Sequence, residues 1–265
     1  MFKLNGVPVI IERYPDQTPR LNIAVDSDEI ILEWLYEKDE EMILYFIARH
    51  LRELYAKNKL KLHMPYIPHA RMDRVKNHQE VFTLKYFCDF INSMRFDEVI
   101  VRDAHSNVAL DLIDNSVAEP IDKNVKKLTD RLLDPQKDIV FYPDEGSYKR
   151  YAEISCFPCA FGVKKRDWKT GKITGLDVQG DLPVSTFNVL IIDDISSYGN
   201  TFLHAARKLK ELGADKVYLY ITHCENSILE GELIDSGLLA KIFTTKSIYT
   251  GNHPLIEIIG GANDE

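Results

Sequence analysis

The sequence predicts an α/β protein built on mostly parallel sheets. Two observations carry that class. Short β-rich apolar runs occur at 61–68, 97–103, 138–144, 159–165, 188–193, 215–223 and 240–245, and segments with three- and four-residue apolar spacing fall among them at 40–59, 79–94, 124–133 and 201–213. Strands alternating with amphipathic helices form parallel layers covered by those helices. A third observation places the chemistry. Polar and charged clusters follow the strands directly, where such sheets bind ligands.

Taken in order, "EEMILYFIARHLRELYAKNK" (40–59) is the first helical pattern, and "KLHMPYIP" (61–68) is the strand after it. The strand runs into "PHARMDR" (68–74), whose Arg71 and Arg74 have the forked geometry that grips a polyphosphate. Residues 79–94 form the next helix. "DEVIVRD" (97–103) is a strand ending at Asp103, with His105 two residues on, a pair suited to a divalent cation or to a structural histidine. "NVKKLTDRLL" (124–133) is helical. "DIVFYPD" (138–144) ends in Asp144, a second candidate metal ligand, and Gly146 is expected to allow a tight turn into a helix. Cys156 and Cys159 form a C-x-x-C without a partner pair, so reduced packing thiols are expected rather than a redox or zinc motif.

"CAFGVKK" (159–165) brings Lys164, Lys165 and Arg166 to the start of a polar stretch, 166–186, with three glycines. That stretch is expected to be a mobile flap, with a hairpin as the alternative. "NVLIIDDISSYGNT" (188–201) is the most informative segment. A buried strand ends at Asp193 and Asp194, and a helix begins near Thr201 and stops at Gly213. Helix-terminal N–H groups with the hydroxyls of Ser196, Ser197 and Thr201 suit a phosphate, and adjacent carboxylates suit a sugar diol. Together they describe a ribose 5-phosphate site, against the plainer alternative of an Asp-capped turn.

Composition sets the bounds. The 265 residues carry a formal charge of −8, which argues against a nucleic-acid-binding surface. No apolar run reaches membrane-spanning length, and the N-terminus lacks a signal-peptide layout. A soluble cytoplasmic protein without nucleic-acid or membrane partners is expected.

The five clusters "MPYIPHARMDR", "FDEVIVRDAHS", "YPDEGSYKR", "VKKR" and "VLIIDDISSYGNT", in this order, resemble those of the ribose-phosphate pyrophosphokinases (PRPP synthetases) along nearly the whole chain. The last also resembles the ribose-phosphate loop of type I phosphoribosyltransferases, which share the fold. The resemblance implies two similar type I phosphoribosyltransferase-type α/β domains with mostly parallel sheets flanked by helices. The expected division is 1–120, the ATP side, and 121–246, with the loop and flap, while 247–265 packs back on the first. It implies that Arg71, Asp73 and Arg74 bind ATP, and that "ERYPDQT" (12–18) receives adenine through Tyr14 and Asp16, supplied by a neighbouring subunit of a homo-oligomer. It implies Mg²⁺ at His105 and Asp144, and catalytic roles for His105, Lys164 and Arg166. It implies ribose-phosphate binding by Asp193, Asp194, Ser196, Ser197, Tyr198, Gly199, Asn200 and Thr201. The implied reaction moves the β,γ-pyrophosphoryl group of MgATP to the anomeric hydroxyl of a ribose 5-phosphate and releases AMP.

The sequence departs from the family in its phosphate loop, which usually reads Asp-Thr-Gly-Gly-Thr. Here it is Ser197, Tyr198, Gly199, Asn200 and Thr201. Tyr198 either fills the site or stacks on a group attached to the phosphate, which makes ADP-ribose an alternative acceptor. The adenine loop also departs from Phe-x-Asp-Gly-Glu, and the chain is shorter than usual, ending in "GGANDE". Other readings are a non-catalytic regulatory relative, against which His105, Asp144, Lys164 and Arg166 stand intact, and a phosphoribosyltransferase, which needs neither the 68–74 nor the 12–18 segment.

Overall fold

A computed structural model describes residues 1–166 and 173–260, with backbone alone at 164–166 and 173–174. The chain divides into two compact units, Met1–Pro120 and Ile121–Glu265. Among the described residues no helix is long and apolar enough to cross a membrane.

The first unit contains β1 (Phe2–Leu4), β2 (Val7–Pro8), β3 (Ile11–Arg13), β4 (Pro19–Leu21), β5 (Glu29–Trp34), α1 (Glu41–Leu54), β6 (Lys59–Met64), α2 (Thr83–Ser93), β7 (Glu98–Arg102), α3 (Asn107–Leu112) and β8 (Ser116–Glu119). Its main sheet has the order β2-β1-β5-β6-β7-β8. Strands β5 to β8 are parallel and β1 joins β5 antiparallel. Every parallel crossover steps the same way, so right-handed connections put the helices on one face. The burial pattern agrees. In β5 and β6 alternate residues are buried, and Ile30, Leu32, Trp34, Leu60, Leu62 and Met64 share one core with Leu44, Ile47 and Leu84 of the helices. The opposite face carries Glu33, His63, Arg102 and Glu119. His63 Nε2 lies 2.8 Å from Glu119, and Arg102 donates to both Glu119 oxygens at 3.0 and 2.8 Å.

The second unit contains α4 (Asp122–Leu132), β9 (Ile139–Tyr142), α5 (Glu145–Tyr151), β10 (Cys159–Arg166), β11 (Ile173–Gly180), β12 (Phe187–Ser196), α6 (Asn200–Glu211), β13 (Ala214–Cys224), α7 (Glu232–Asp235), β14 (Lys241–Thr245) and β15 (Ile256–Ile259). The sheet order is β11-β10-β9-β12-β13-β14-β15, parallel except for the β10–β11 hairpin. Both faces are buried. Ile139, Phe141, Val189 and Ile191 pack with α6, while Val140, Tyr142, Leu190 and Ile192 pack with α4. Continuous apolar strands of this kind need helices on both sides.

The segment expected to return to the first unit instead stays with the second, because β15 pairs in parallel with β14 from Ile242↔Ile256 to Thr245↔Ile259. Residues 261–265 lie outside the described residues. The polar stretch expected as a flap is in part a hairpin, with β10 and β11 paired from Ala160↔Gly180 to Arg166↔Ile173 and a register shift between Lys165 and Arg166. Residues 167–172 of that stretch also lie outside the described residues. The cysteines are free thiols, but Cys156 is exposed rather than packed.

Candidate active site

The chain leaves β9 towards one side of the second sheet and leaves β12 towards the other, although these strands are adjacent and parallel. That reversal opens a crevice at their carboxyl ends, where such sheets take ligands. Asp144 follows β9, and Asp193 and Asp194 lie near the end of β12. Expected to stop at them, the strand runs on to Ser196 because Ile195 and Ser196 still pair with β13.

Local chemistry ties these carboxylates together. Asp144 caps α5, its Oδ1 accepting from the N–H groups of Gly146 at 3.0 Å and Ser147 at 3.1 Å. Ser147 Oγ donates to Asp193 Oδ1 at 2.7 Å, and the Asp194 N–H donates to the same oxygen at 3.0 Å. Arg150, one turn along α5, sets Nη1 3.4 Å from Asp194 Oδ2, and the Asp194 side chain is only 5 % exposed. Gly146 thus serves as an N–H donor in the first turn of α5 rather than through a positive φ, and Asp144 closes the turn.

Burial of the Asp193 carboxyl, reinforced by the charges of Asp194 and Asp144, pushes its pKa well above the usual carboxylate range, against the pull of Ser147. A carboxyl pair that keeps a proton can both donate to and accept from a vicinal diol. Ser147 and Arg150 were not anticipated from the sequence. Their positions three and six residues after Asp144, on one short helix, are the signal that could have found them.

The loop from β12 to α6 stands beside this pair. Gly199 adopts φ +80° and leaves α6 without a side-chain cap, so the N–H groups of its first turn face an anion-favouring end. A Cβ on Gly199 would lie 2.7 Å from Leu233 Cδ2, and one on Gly231 would lie 2.8 Å from the Tyr198 carbonyl carbon. The loop therefore rests on Gly231 and α7, two features with no motif signal in the sequence. Ser196 is buried, while Asn200 and Thr201 are exposed and Tyr198 is 52 % exposed. Ser197 Oγ donates to Glu225 Oε2 at 2.7 Å.

The backbone places Lys164 and Arg166 near the end of β10, opposite Leu176 and Ile173, and their side chains lie outside the described residues. Two residues before them, Gly162 lets the strand pass the Pro143 backbone, since a Cβ there would sit 3.3 Å from its carbonyl carbon.

The carboxyl ends of the first unit carry the other candidates. After β6 the buried Ile67 and Ala70 pin a turn that leaves Arg71 exposed. The Arg74 side chain is 82 % exposed, with Nε 3.9 Å from Asp73 Oδ1. After β7, Asp103 takes φ +42° and His105 precedes Ser106 at the start of α3. Ser106 Oγ is buried and has no hydrogen-bond partner among the described residues. Tyr14 and Asp16 occupy the tip of the β3–β4 hairpin, with Tyr14 half-exposed. Asp16 Oδ1 accepts from Thr18 Oγ1 at 2.6 Å and from its N–H at 3.0 Å, which lowers the Asp16 pKa.

No family model matches the chain. Individual curated relatives do. The chain is 28 % identical over 264 residues to the ribose-phosphate pyrophosphokinase of Sulfurisphaera tokodaii, covering 94 % of this chain and 88 % of that one. It is 27 % identical over 223 residues to the enzyme of the same name from Pyrococcus furiosus, covering 81 % and 77 %. The chain is similar to these ribose-phosphate pyrophosphokinases over most of its length. The fold agrees: the phosphoribosylpyrophosphate synthetase structure from Mycobacterium smegmatis superposes with a TM-score of 0.72 at 18 % identity, over 95 % of this chain and 85 % of that one. The two-unit parallel architecture is thus shared with that structure.

Proposed function

We propose that this protein transfers the β,γ-pyrophosphoryl group of ATP to the anomeric 1-hydroxyl of a ribose 5-phosphate moiety. The hydroxyl oxygen bonds to the β-phosphorus, the bond from that phosphorus to the bridging oxygen on the α-phosphate breaks, AMP leaves, and the hydroxyl proton is released. The observation that carries this reading is the Asp193–Asp194 pair, fixed by Ser147 and Arg150 beside the uncapped start of α6. Acidic acceptors for a diol and N–H donors for a phosphate adjoin at one strand end.

In the second unit, Asp193 and Asp194 hold the ribose hydroxyls. Ser196, Ser197, Tyr198, Gly199, Asn200 and Thr201 hold the 5-phosphate, and Lys164 and Arg166 offset charge developing on the transferred group. In the first unit, Arg71, Asp73 and Arg74 hold the ATP phosphates, Tyr14 stacks on adenine and Asp16 accepts from it. The exposed hairpin tip suits delivery to a neighbouring copy in a homo-oligomer. Phosphoryl transfer needs such positioning and charge neutralisation more than covalent participation.

Mg²⁺ fits the residues present. The described residues hold no cluster of three or more His, Cys, Asp or Glu able to cage a metal, and Mg²⁺ prefers one or two protein ligands with water and phosphate oxygens. In the first unit His105 would offer a metal ion a ligand, and the orphaned Ser106 hydroxyl would bind an oxygen of its shell; in the second unit, taken by itself, Asp144 would offer one. When bound, the ion would neutralise phosphate charge and acidify the hydroxyl.

A specific observation favours ADP-ribose as an alternative acceptor. Tyr198 is 52 % exposed on the phosphate loop and offers an aromatic face to whatever extends beyond the 5-phosphate. The test supplies ATP and Mg²⁺ with ribose 5-phosphate or ADP-ribose and follows AMP release and product mass. A product heavier than its acceptor by one diphosphate is expected. Absence of AMP with both acceptors would overturn the assignment.

A further inference from the structure

Glu225 is a carboxylate placed where the phosphate loop needs positive potential. It follows β13, the strand next to β12. Its N–H donates to the Ser196 carbonyl at 2.9 Å. Its Oε2 accepts from Ser197 Oγ at 2.7 Å and from Ser227 Oγ at 3.3 Å. One half-buried acid therefore grips the loop by both backbone and side chain. The Ser197 hydroxyl gives its single proton to this carboxylate, so a phosphate oxygen beside it would face an acceptor and lie one side chain away from the charge.

We propose that Glu225 is a specificity residue that selects the charge of the acceptor's phosphate, favouring a singly charged phosphodiester over a doubly charged monoester. The proposal rests on the ribose-phosphate site assigned above. A monoester carries about −1.5 to −2 at neutral pH, whereas a diester carries a single charge. Both receive the same N–H groups from the start of α6. Only the monoester brings a second charge against Glu225, and one extra charge at this range changes affinity by about tenfold. Glu225 acts through Ser197 and the loop. It is a positioning residue rather than a catalytic one.

The test is calorimetric binding of ribose 5-phosphate and of its 5-phosphate methyl ester to the full protein, with E225Q and E225D beside it. The expected result is that E225Q shifts the monoester-to-diester affinity ratio about tenfold towards the monoester. E225D keeps the original preference, because it retains the charge. The parent protein binds the monoester more tightly as pH falls through about 6, where that phosphate gains a proton. The E225Q variant shows a flatter profile. An unchanged ratio in E225Q, parallel pH profiles, or no binding of either compound would overturn the proposal. AMP release with the same acceptors is followed separately, so failure of catalysis counts against the pyrophosphokinase assignment while the binding ratio decides the role of Glu225.

Discussion

Gly231→Ala tests whether the phosphate loop takes its shape from a residue outside every motif. Gly231 precedes α7, and an added Cβ would lie 2.8 Å from the Tyr198 carbonyl carbon and closer still to its oxygen. Both are backbone atoms, so no side-chain rotation can relieve the contact. Reaching ordinary separation requires the Tyr198 peptide to move by roughly 1 Å, the scale of misplacement that costs about a hundredfold in rate. Forcing a methyl into packed surroundings destabilises by about 1–3 kcal/mol. The assay is kcat/KM for the acceptor at saturating ATP, together with urea unfolding. Gly237→Ala is the control: its φ of +67° makes alanine strained, but a Cβ there meets nothing within 4 Å. That control should lose about 1 kcal/mol of stability and keep its acceptor kinetics. If Gly231→Ala stays within twofold of the parent in kcat/KM while remaining folded, the loop does not depend on this contact and the reasoning fails.

Other expectations concern charge and metal. The Asp193 pKa is raised on folding, so the unfolded chain loses that proton first as pH climbs from about 4. Folding stability should fall with rising pH until the folded group titrates too. D193N should flatten this slope in denaturant titrations and raise stability at neutral pH while abolishing turnover. Glu119 behaves oppositely: burial pushes its pKa up, but hydrogen bonds from His63 and Arg102, with the charge of Arg102, bring it down to about 2. Its contribution is present above the ordinary value of 4.5 and lost as pH falls through about 2. E119Q should therefore be less stable than the parent near neutrality, and the gap should close towards pH 2. Chelation of divalent ions should stop AMP release, and Mg²⁺ should restore it. The melting temperature without ATP should not change, since the described residues form no closed metal cage.

The sequence by itself carried the fold class and the strand-end clusters. Local pattern sufficed for β6, β7, β9, β10, β12, β13 and β14 and for α1, α2, α4 and α6, because apolar periodicity reports burial directly. It missed β5, a central strand of the first sheet, where charged Glu29 and Glu33 flank a three-residue apolar core. Alternate residues of β5 face the polar side of a sheet covered by helices on the other, and only the sheet order reveals that. Motif spacing likewise marked Asp144, Asp193, Asp194 and residues 196–201. It could not show that Ser147 bridges to Asp193, that Arg150 faces Asp194, that Gly231 supports Tyr198, or that Glu225 holds Ser197. Those pairs lie 46, 44, 33 and 28 residues apart and meet only because parallel strands bring their carboxyl ends to one edge. Chain-local chemistry determined which groups are available; the tertiary register decided which of them meet.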